Sequence, residues 1–142
     1  MKGIFVDSNV ILDLFEDDRN WAQWSESMLN RYTITHTLYI NPVIYSEVSI
    51  GFERIEELES AMTGCGFQML EMPKEALFLA GKAFVRYRKR KGRKLSPLPD
   101  FFIGAHAAIL GWELITRDIA RYRSYFPAVK LITPENSYSN ST

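Results

Sequence analysis

Four carboxylates of this sequence stand where they could act together on one substrate. They are Asp7, Glu47, Asp100 and Asp118, and they are called the acidic quartet below. Carboxylate oxygens without cysteine or histidine partners suit Mg²⁺ or Mn²⁺ rather than zinc or copper. Such ions position and polarise a phosphodiester and lower the pKa of a bound water. If the four side chains converge, they are therefore suited to metal-dependent hydrolysis of a phosphodiester.

Each member of the quartet also has an ordinary structural explanation. Asp7 or its neighbour Ser8 would cap the first helix, and Asp100 and Asp118 would cap later ones, since short polar side chains are favoured there. Glu47 would be a surface residue of its helix. These explanations are the simpler ones for each acid alone. A shared site requires a fold that brings all four to one place.

Short apolar segments alternate with amphipathic ones, and this alternation predicts strands and helices in turn. The predicted strands cover 4–6, 34–40, 67–70, 113–116 and 129–132. The predicted helices cover 10–15, 19–32, 54–63, 74–91 and 101–110, and two more begin near Pro42 and Asp118. The order predicts an α/β fold with a mostly parallel central sheet of about five strands and helices on both faces. Such sheets bind ligands at the carboxyl ends of their strands, where Asp7 and Asp118 stand.

Length and composition are those of one domain with its own core. The chain has 142 residues, of which 46% are hydrophobic. We assign 1–133 to that domain and the polar segment 134–142 to a flexible tail. The single cysteine, Cys65, excludes an internal disulfide, and two histidines are too few for a structural zinc site. A secretory signal and a membrane span are both lacking from the sequence pattern, so a cytoplasmic protein is expected.

The charges are balanced in total but segregated along the chain. Lys plus Arg and Asp plus Glu each number 17. Residues 1–81 carry five basic and thirteen acidic side chains, whereas residues 82–130 carry twelve basic and three acidic ones. This second portion contains a dense basic run, since seven of the nine residues from Arg86 to Lys94 are Lys or Arg. Such a run is either a solvated helix end or a phosphate-binding surface.

Four segments resemble, in the right order, the PIN-domain family, and in particular the VapC-type toxin ribonucleases of toxin-antitoxin pairs. The segments are VDSNVILDLF, NPVIYSEV, LPDFFIGAHA and ITRDIARYRSYFPAVKLITP. The resemblance spans nearly the whole chain and implies a PIN-like fold that cleaves RNA with Mg²⁺ or Mn²⁺. It also implies that the acidic quartet binds the metal and is catalytic. By the same resemblance, Ser8 and Thr116 steady a metal-bound water or a carboxylate, and Asn9 supports the first turn.

Candidate RNA contacts come from the basic run and from the segment around Asp118. They are Arg86, Arg88, Lys89, Arg90, Lys91, Arg93, Arg117 and Arg121. Tyr87 and Tyr122 are candidates for base stacking, although aromatic residues of amphipathic helices usually belong to the core. Asp13 is expected to lie in a solvated turn.

The resemblance further implies a cognate antitoxin protein and a homodimer as partners, with RNA as substrate and no membrane. Other α/β folds fit less well. A dinucleotide-binding domain would need a glycine-rich first turn, whereas Ser8 and Asn9 stand there. The main alternative from another class is a non-catalytic PIN-like domain that binds RNA or acts as a scaffold. The presence of all four acids favours catalysis over that alternative.

Overall fold

A sheet of five parallel strands lies at the centre of the protein, for which a computed structural model describes residues 1–134. The strands are β1 (Lys2–Val6), β2 (His36–Ile40), β3 (Gln68–Met69), β4 (Leu114–Ile115) and β5 (Leu131–Ile132). Their spatial order is β3-β2-β1-β4-β5, and each neighbouring pair is parallel. The predicted α/β class and five-stranded sheet are confirmed. Within these residues the sheet is wholly rather than mostly parallel.

Helices form most of the connections between the strands. They are α1 (Ser8–Phe15), α2 (Ala22–Tyr32), α3 (Pro42–Ser49), α4 (Ile55–Gly64), α5 (Lys74–Lys89), α6 (Pro99–Leu110) and α7 (Ala120–Tyr125). Each predicted helix is present, with its ends displaced by a few residues. Asp118 does not open α7, because Ile119 is the N-cap residue of that helix.

The order of the strands reverses at β1. The chain places β2 and β3 on one side of β1 and then returns to place β4 and β5 on the other side. Asp7, which follows β1, donates its backbone N–H to the carbonyl oxygen of Ile115 at the end of β4 over 2.9 Å. The carboxyl ends of β1 and β4 therefore form the switch point at which open α/β sheets bind ligands.

Both faces of β1 are covered. Alternate side chains of a strand point to opposite faces, and every residue from Gly3 to Val6 is buried. The ring of Trp112 occupies the space into which a Cβ at Gly3 would project, and its centroid lies 5.2 Å from that of Phe5. This close approach requires glycine at position 3 and anchors β1 behind the switch point.

The predicted polar tail lies, from residue 135 onward, outside the described residues, so its boundary stays a prediction. Within residues 1–134 no helix has both the length and the apolar character that crossing a membrane requires.

His106 is a buried polar side chain that connects α6 to α3. Its Nδ1 lies 3.2 Å from Nδ2 of Asn41, whose Oδ1 caps α3 by accepting the backbone N–H of Ile44. Because the amide nitrogen of Asn41 is a donor, the His106 ring is neutral and carries its hydrogen on Nε2. That Nε2 has no hydrogen-bond partner within residues 1–134. Burial lowers the pKa of His106 from 6.5 to about 4.

This lowered pKa predicts a loss of stability in acid. The unfolded chain takes up a proton at His106 below pH 6.5, whereas the folded chain resists protonation until about pH 4. The free energy of unfolding should therefore fall between these pH values, by up to about 3 kcal/mol from this residue. Urea titrations of the wild type and of His106→Gln across pH 7 to 4 measure the effect as the difference between the two curves.

The comparison with His106→Gln is needed because the buried carboxylates act in the opposite direction. Asp7, Glu47 and Asp100 have raised pKa values in the folded protein, so protonation stabilises the fold as the pH drops. These contributions are common to both proteins and cancel in the difference. Parallel pH profiles for the two proteins would contradict the assignment to His106.

Candidate active site

Asp7 lies at the switch point and is almost fully buried. It is the N-cap residue of α1, and its Oδ1 accepts the backbone N–H of Ser8 over 2.8 Å. Its Oδ2 accepts the hydroxyls of Thr116 and Tyr122, each over 2.8 Å. Burial raises the pKa of Asp7, the three donors lower it, and the charge of Asp100 raises it further. The capping explanation is correct for Asp7, but a cap alone would not need two hydroxyls from distant elements.

Glu47 reaches the same place from α3. Its Oε1 accepts the hydroxyl of Ser8 over 2.8 Å, and that hydroxyl oxygen lies 3.5 Å from Oδ1 of Asp7. Partial burial raises the pKa of Glu47, the hydrogen bond from Ser8 lowers it, and the charges of Asp7 and Asp100 raise it. Ser8 therefore connects two acids, and Glu47 is not simply a surface residue of its helix.

Asp100 stands in the first turn of α6, where the helix dipole favours a carboxylate. The N-cap residue is Leu98, so the explanation of Asp100 as a cap is wrong. Burial raises the pKa of Asp100, the cation of Arg121 lowers it, and the charge of Asp118 raises it. Arg121 Nη1 lies 3.5 Å from Asp100 Oδ2, so this acid already has a cation beside it.

Thr116 and Asn9 connect the loop after β4 to the turn after β1. Thr116 Oγ1, which donates to Asp7, also accepts the backbone N–H of Asp118 over 3.0 Å. Asn9 Oδ1 accepts the backbone N–H of Arg117 over 3.2 Å, and Asn9 Nδ2 donates to Thr116 Oγ1 over 3.4 Å. The backbone of Asp118, the exposed member of the quartet, is thus connected to Asp7 through the hydroxyl of Thr116.

The carboxylates of the quartet repel one another across the switch point. The charge of Asp100 raises the pKa values of Asp7 and Glu47, and that of Asp118 raises the pKa of Asp100. A divalent cation would relieve this repulsion, and an all-oxygen donor set suits Mg²⁺ or Mn²⁺. Within residues 1–134, however, no three acidic, histidine or cysteine side chains are arranged to hold an ion unaided. Mg²⁺ commonly keeps several waters and is bound by one or two carboxylates together with substrate phosphates.

A comparison with protein families identifies the fold that carries this site. The family model of the PIN domain matches residues 4–125, a span that includes the whole acidic quartet. The chain belongs to the PIN domain family. The resemblance seen in the four sequence segments is thereby confirmed at the level of the family, whereas the roles of individual residues stay predictions.

Solved structures share the fold of this PIN domain. VapBC2 from Rickettsia felis bound to a DNA fragment from their promoter matches with a TM-score of 0.71 and 15% identity over 92% of this chain and 98% of that chain. DNA-bound VapBC from Salmonella typhimurium matches with a TM-score of 0.69 and 15% identity over 94% of this chain and 98% of that chain. A toxin-antitoxin complex from Klebsiella pneumoniae matches with a TM-score of 0.64 and 22% identity over 92% of this chain and 97% of that chain. Among curated proteins no significant match is found.

A second buried acid of the PIN domain, Asp13, lies on α1, the helix that Asp7 caps. Its two oxygens accept Arg117 Nε and Nη2 over 2.6 and 2.9 Å, and Ser25 donates to Oδ2 over 3.0 Å. The guanidinium carbon of Arg117 lies 5.1 Å from the ring centroid of Trp21. The expectation that Asp13 lies in a solvated turn is therefore wrong. Arg117, a candidate RNA contact, has its guanidinium committed to this ion pair.

Tyr122 is the contact that sequence reasoning misses. It lies on α7 and is only 1% exposed, so of the two possibilities considered for it, base stacking and core packing, the core explanation is correct. Its hydroxyl nevertheless donates to Asp7. The only signal in the sequence is its position four residues after Asp118, one helical turn beyond an acid of the quartet.

An open cleft of about 340 Å³ lies beside Asp100 and Asp118. Its lining also includes Arg121, Tyr87 and Tyr125. The guanidinium carbon of Arg121 lies 5.5 Å from the ring centroid of Tyr87, which holds the cation at the cleft wall. The cleft therefore combines two acids of the quartet with one cation and aromatic surfaces.

The basic run divides into residues with structural contacts and residues that face solvent. Arg86 donates to the backbone carbonyl of Tyr125 over 3.1 Å, and the guanidinium of Arg90 lies 5.0 Å from the ring centroid of Tyr125. Arg88 donates to the carbonyls of Gly92 and Lys94 over 3.2 and 2.8 Å. The remaining candidates of the run, Lys89, Lys91 and Arg93, are exposed.

The ion pair between Asp13 and Arg117 predicts a large effect on stability. Asp13→Ala leaves a partly buried guanidinium without its partner, which should lower the free energy of unfolding by about 3 kcal/mol. Glu26→Ala removes an exposed acid from α2 and should change it by less than about 0.5 kcal/mol. Urea unfolding of the three proteins measures the difference. Equal stabilities for the two variants would show that the pair contributes nothing.

Proposed function

We propose that the protein is a divalent-metal-dependent endoribonuclease, which hydrolyses phosphodiester bonds of RNA with Mg²⁺ or Mn²⁺ at the acidic quartet. The observation that carries the proposal is the convergence of Asp7, Glu47 and Asp100 near the switch point. Burial is the main cause that raises their pKa values, and the charges of neighbouring acids of the quartet raise them further. A PIN domain that keeps these acids together at a switch point has a site suited to a cation and to a ligand that brings phosphate.

Several residues of this chain would have separate roles at that site. When bound, Mg²⁺ supplies a Lewis acid for the phosphate and lowers the pKa of a water. Thr116 and Tyr122 fix the orientation of Asp7, and Ser8 fixes that of Glu47. Arg121, beside Asp100, is placed to offset the negative charge of a phosphate that approaches the acids.

RNA would reach the quartet along the cleft beside Asp100 and Asp118. Single-stranded nucleic acid is bound by cations that follow its backbone and by aromatic faces on which bases stack. The cleft offers Arg121 and Tyr87 for these contacts. The exposed Lys89, Lys91 and Arg93 extend from the end of α5, on the helix that carries Tyr87. These residues are the strongest candidates for phosphate contacts outside the cleft.

The proposed biological role is that of the toxin of a toxin-antitoxin pair. Chains of VapBC complexes and of a toxin-antitoxin complex share the fold over more than nine-tenths of this chain, which supports a cognate antitoxin protein as partner. A homodimer and a cytoplasmic location are part of the same proposal. The alternative is a non-catalytic PIN-like domain that binds RNA or acts as a scaffold.

The first test is cleavage of RNA by the purified protein after any partner has been removed. Cleavage is expected with Mg²⁺ or Mn²⁺ and should fall to background with EDTA or in Asp7→Asn, because the quartet would lose its cation or its central carboxylate. Asp17→Asn is the matched control. Asp17 is exposed with φ 49°, a conformation that asparagine tolerates, so cleavage should be unchanged. Binding of RNA without cleavage across a broad substrate set would favour the alternative.

The second test concerns the exposed cations of the basic run. Replacing Lys89, Lys91 and Arg93 with Gln should weaken RNA binding and reduce the slope of log K against log salt by up to about 2, since each phosphate contact to a single strand contributes about 0.7. Arg88 is left in place because it supports the loop. Removing three other exposed cations, Lys74, Lys82 and Arg54, is the control of equal charge. Equal slopes for the two triple variants would assign the run to solvated surface.

A further inference from the structure

Tyr122 is a buried titratable residue in direct contact with the acidic quartet. A buried tyrosine hydroxyl normally finds a hydrogen-bond partner, and here the partner is Oδ2 of Asp7 at 2.8 Å. The neighbouring residue Arg121, on the same helix, lies against Asp100. The short helix α7 therefore contacts two acids of the quartet and fixes their positions from one side.

The donors around Asp7 are distributed unequally between its two oxygens. Oδ2 accepts two hydroxyls, from Thr116 and Tyr122. Oδ1 accepts the backbone N–H of Ser8 and lies at the longer distance of 3.5 Å from the Ser8 hydroxyl. A carboxylate oxygen has about two lone-pair sites, so Oδ2 is saturated whereas Oδ1 retains room for one more contact. Asp7 is therefore positioned to bind a cation through one oxygen, Oδ1.

A carboxylate that offers one oxygen discriminates between divalent cations. Mg²⁺ requires a near-ideal octahedron of oxygens, whereas Ca²⁺ accepts six to eight oxygens, including both oxygens of one carboxylate. We infer that Tyr122 is a positioning residue, which holds Asp7 as a one-oxygen ligand and so makes the site select Mg²⁺ or Mn²⁺ over Ca²⁺. This inference rests on the proposed function, because it requires that the quartet binds a cation.

The test measures cation selectivity and not cleavage. Mn²⁺ binding is followed by the electron paramagnetic resonance signal of the free ion, and Mg²⁺ and Ca²⁺ are then titrated in as competitors. Tyr122→Phe, which removes only the hydroxyl, should weaken Mg²⁺ binding about tenfold, the usual effect of losing a residue that orients a metal ligand. Ca²⁺ binding should change little, because a released Asp7 can offer both oxygens. The ratio of the two affinities should therefore shift about tenfold toward Ca²⁺.

Two further variants complete the experiment. Tyr39→Phe removes a tyrosine hydroxyl from β2, where the Tyr39 ring centroid lies 5.0 Å from that of Trp112, and it should leave the ratio unchanged. Thr116→Val removes the other donor to Oδ2 and should shift the ratio in the same direction as Tyr122→Phe. It tests the same reasoning if Tyr122→Phe does not fold. Melting curves in EDTA establish that each variant is folded.

The outcomes separate this inference from the proposed function. An unchanged ratio in Tyr122→Phe, or an equal loss of both cations, would assign Tyr122 to packing and overturn the inference, while RNA cleavage by the wild type with Mg²⁺ would still support the proposed function. A wild type that binds no divalent cation would overturn both. A shifted ratio in Tyr122→Phe together with a wild type that leaves RNA intact would support the role of Tyr122 and contradict the nuclease.

Discussion

The burial of one negative charge, that of Asp7, is the constraint on which the rest of the structure depends. A carboxylate removed from water is destabilising unless donors surround it. The donors of Asp7 come from the start of α1, the end of β4 and the middle of α7. Thr116 and Tyr122 are 109 and 115 residues away along the chain. The pairing of β1 with β4 brings Thr116 within reach of Asp7, and α7, which follows β4, brings Tyr122.

The remaining acids add repulsion that the fold must withstand. Glu47 and Asp100 are partly buried near Asp7, and each has a raised pKa. The dipole of α6 favours Asp100 at its position in the first turn, but no local preference of α3 accounts for the partial burial of Glu47. Sites where a chain departs from such local preferences are commonly functional ones. The packing of Trp112 against Gly3 and Phe5 behind β1 provides a rigid base on which the repelling charges are held.

The strands and helices are well predicted from the sequence because they follow from local patterns of apolar residues, proline and glycine. The apolar runs become strands, Pro42 starts α3, and Asp7 and Asp118 follow the carboxyl ends of β1 and β4 as expected. The errors concern side chains whose surroundings come from distant parts of the chain. Asp13 is buried because Arg117, 104 residues later, pairs with it. No periodicity within α1 reveals that partner.

Tyr122 and Tyr125 illustrate the same limit within one helix. Both are tyrosines on α7, and both stand near basic residues in the sequence. The hydroxyl of Tyr122 meets Asp7, whereas the ring of Tyr125 faces Tyr87 and Phe101 at the cleft. The rotation of α7 about its own axis decides which tyrosine points toward the sheet. Tertiary packing sets this rotation, and the helix propensity of the residues does not.

The basic residues that are concentrated in the later part of the chain make two kinds of contact in the folded protein. Some of them stabilise the structure, because Arg117 of the basic portion pairs with Asp13 of the acidic portion, and Arg88 supports its own loop. Another, Arg121, lies against an acid of the quartet. The cations that remain exposed at the end of α5, Lys89, Lys91 and Arg93, make none of these contacts. A search for an RNA-binding surface should therefore begin with these three residues. Other cations of the run contact backbone carbonyls or aromatic rings, so fewer of them are available to RNA than the sequence suggests.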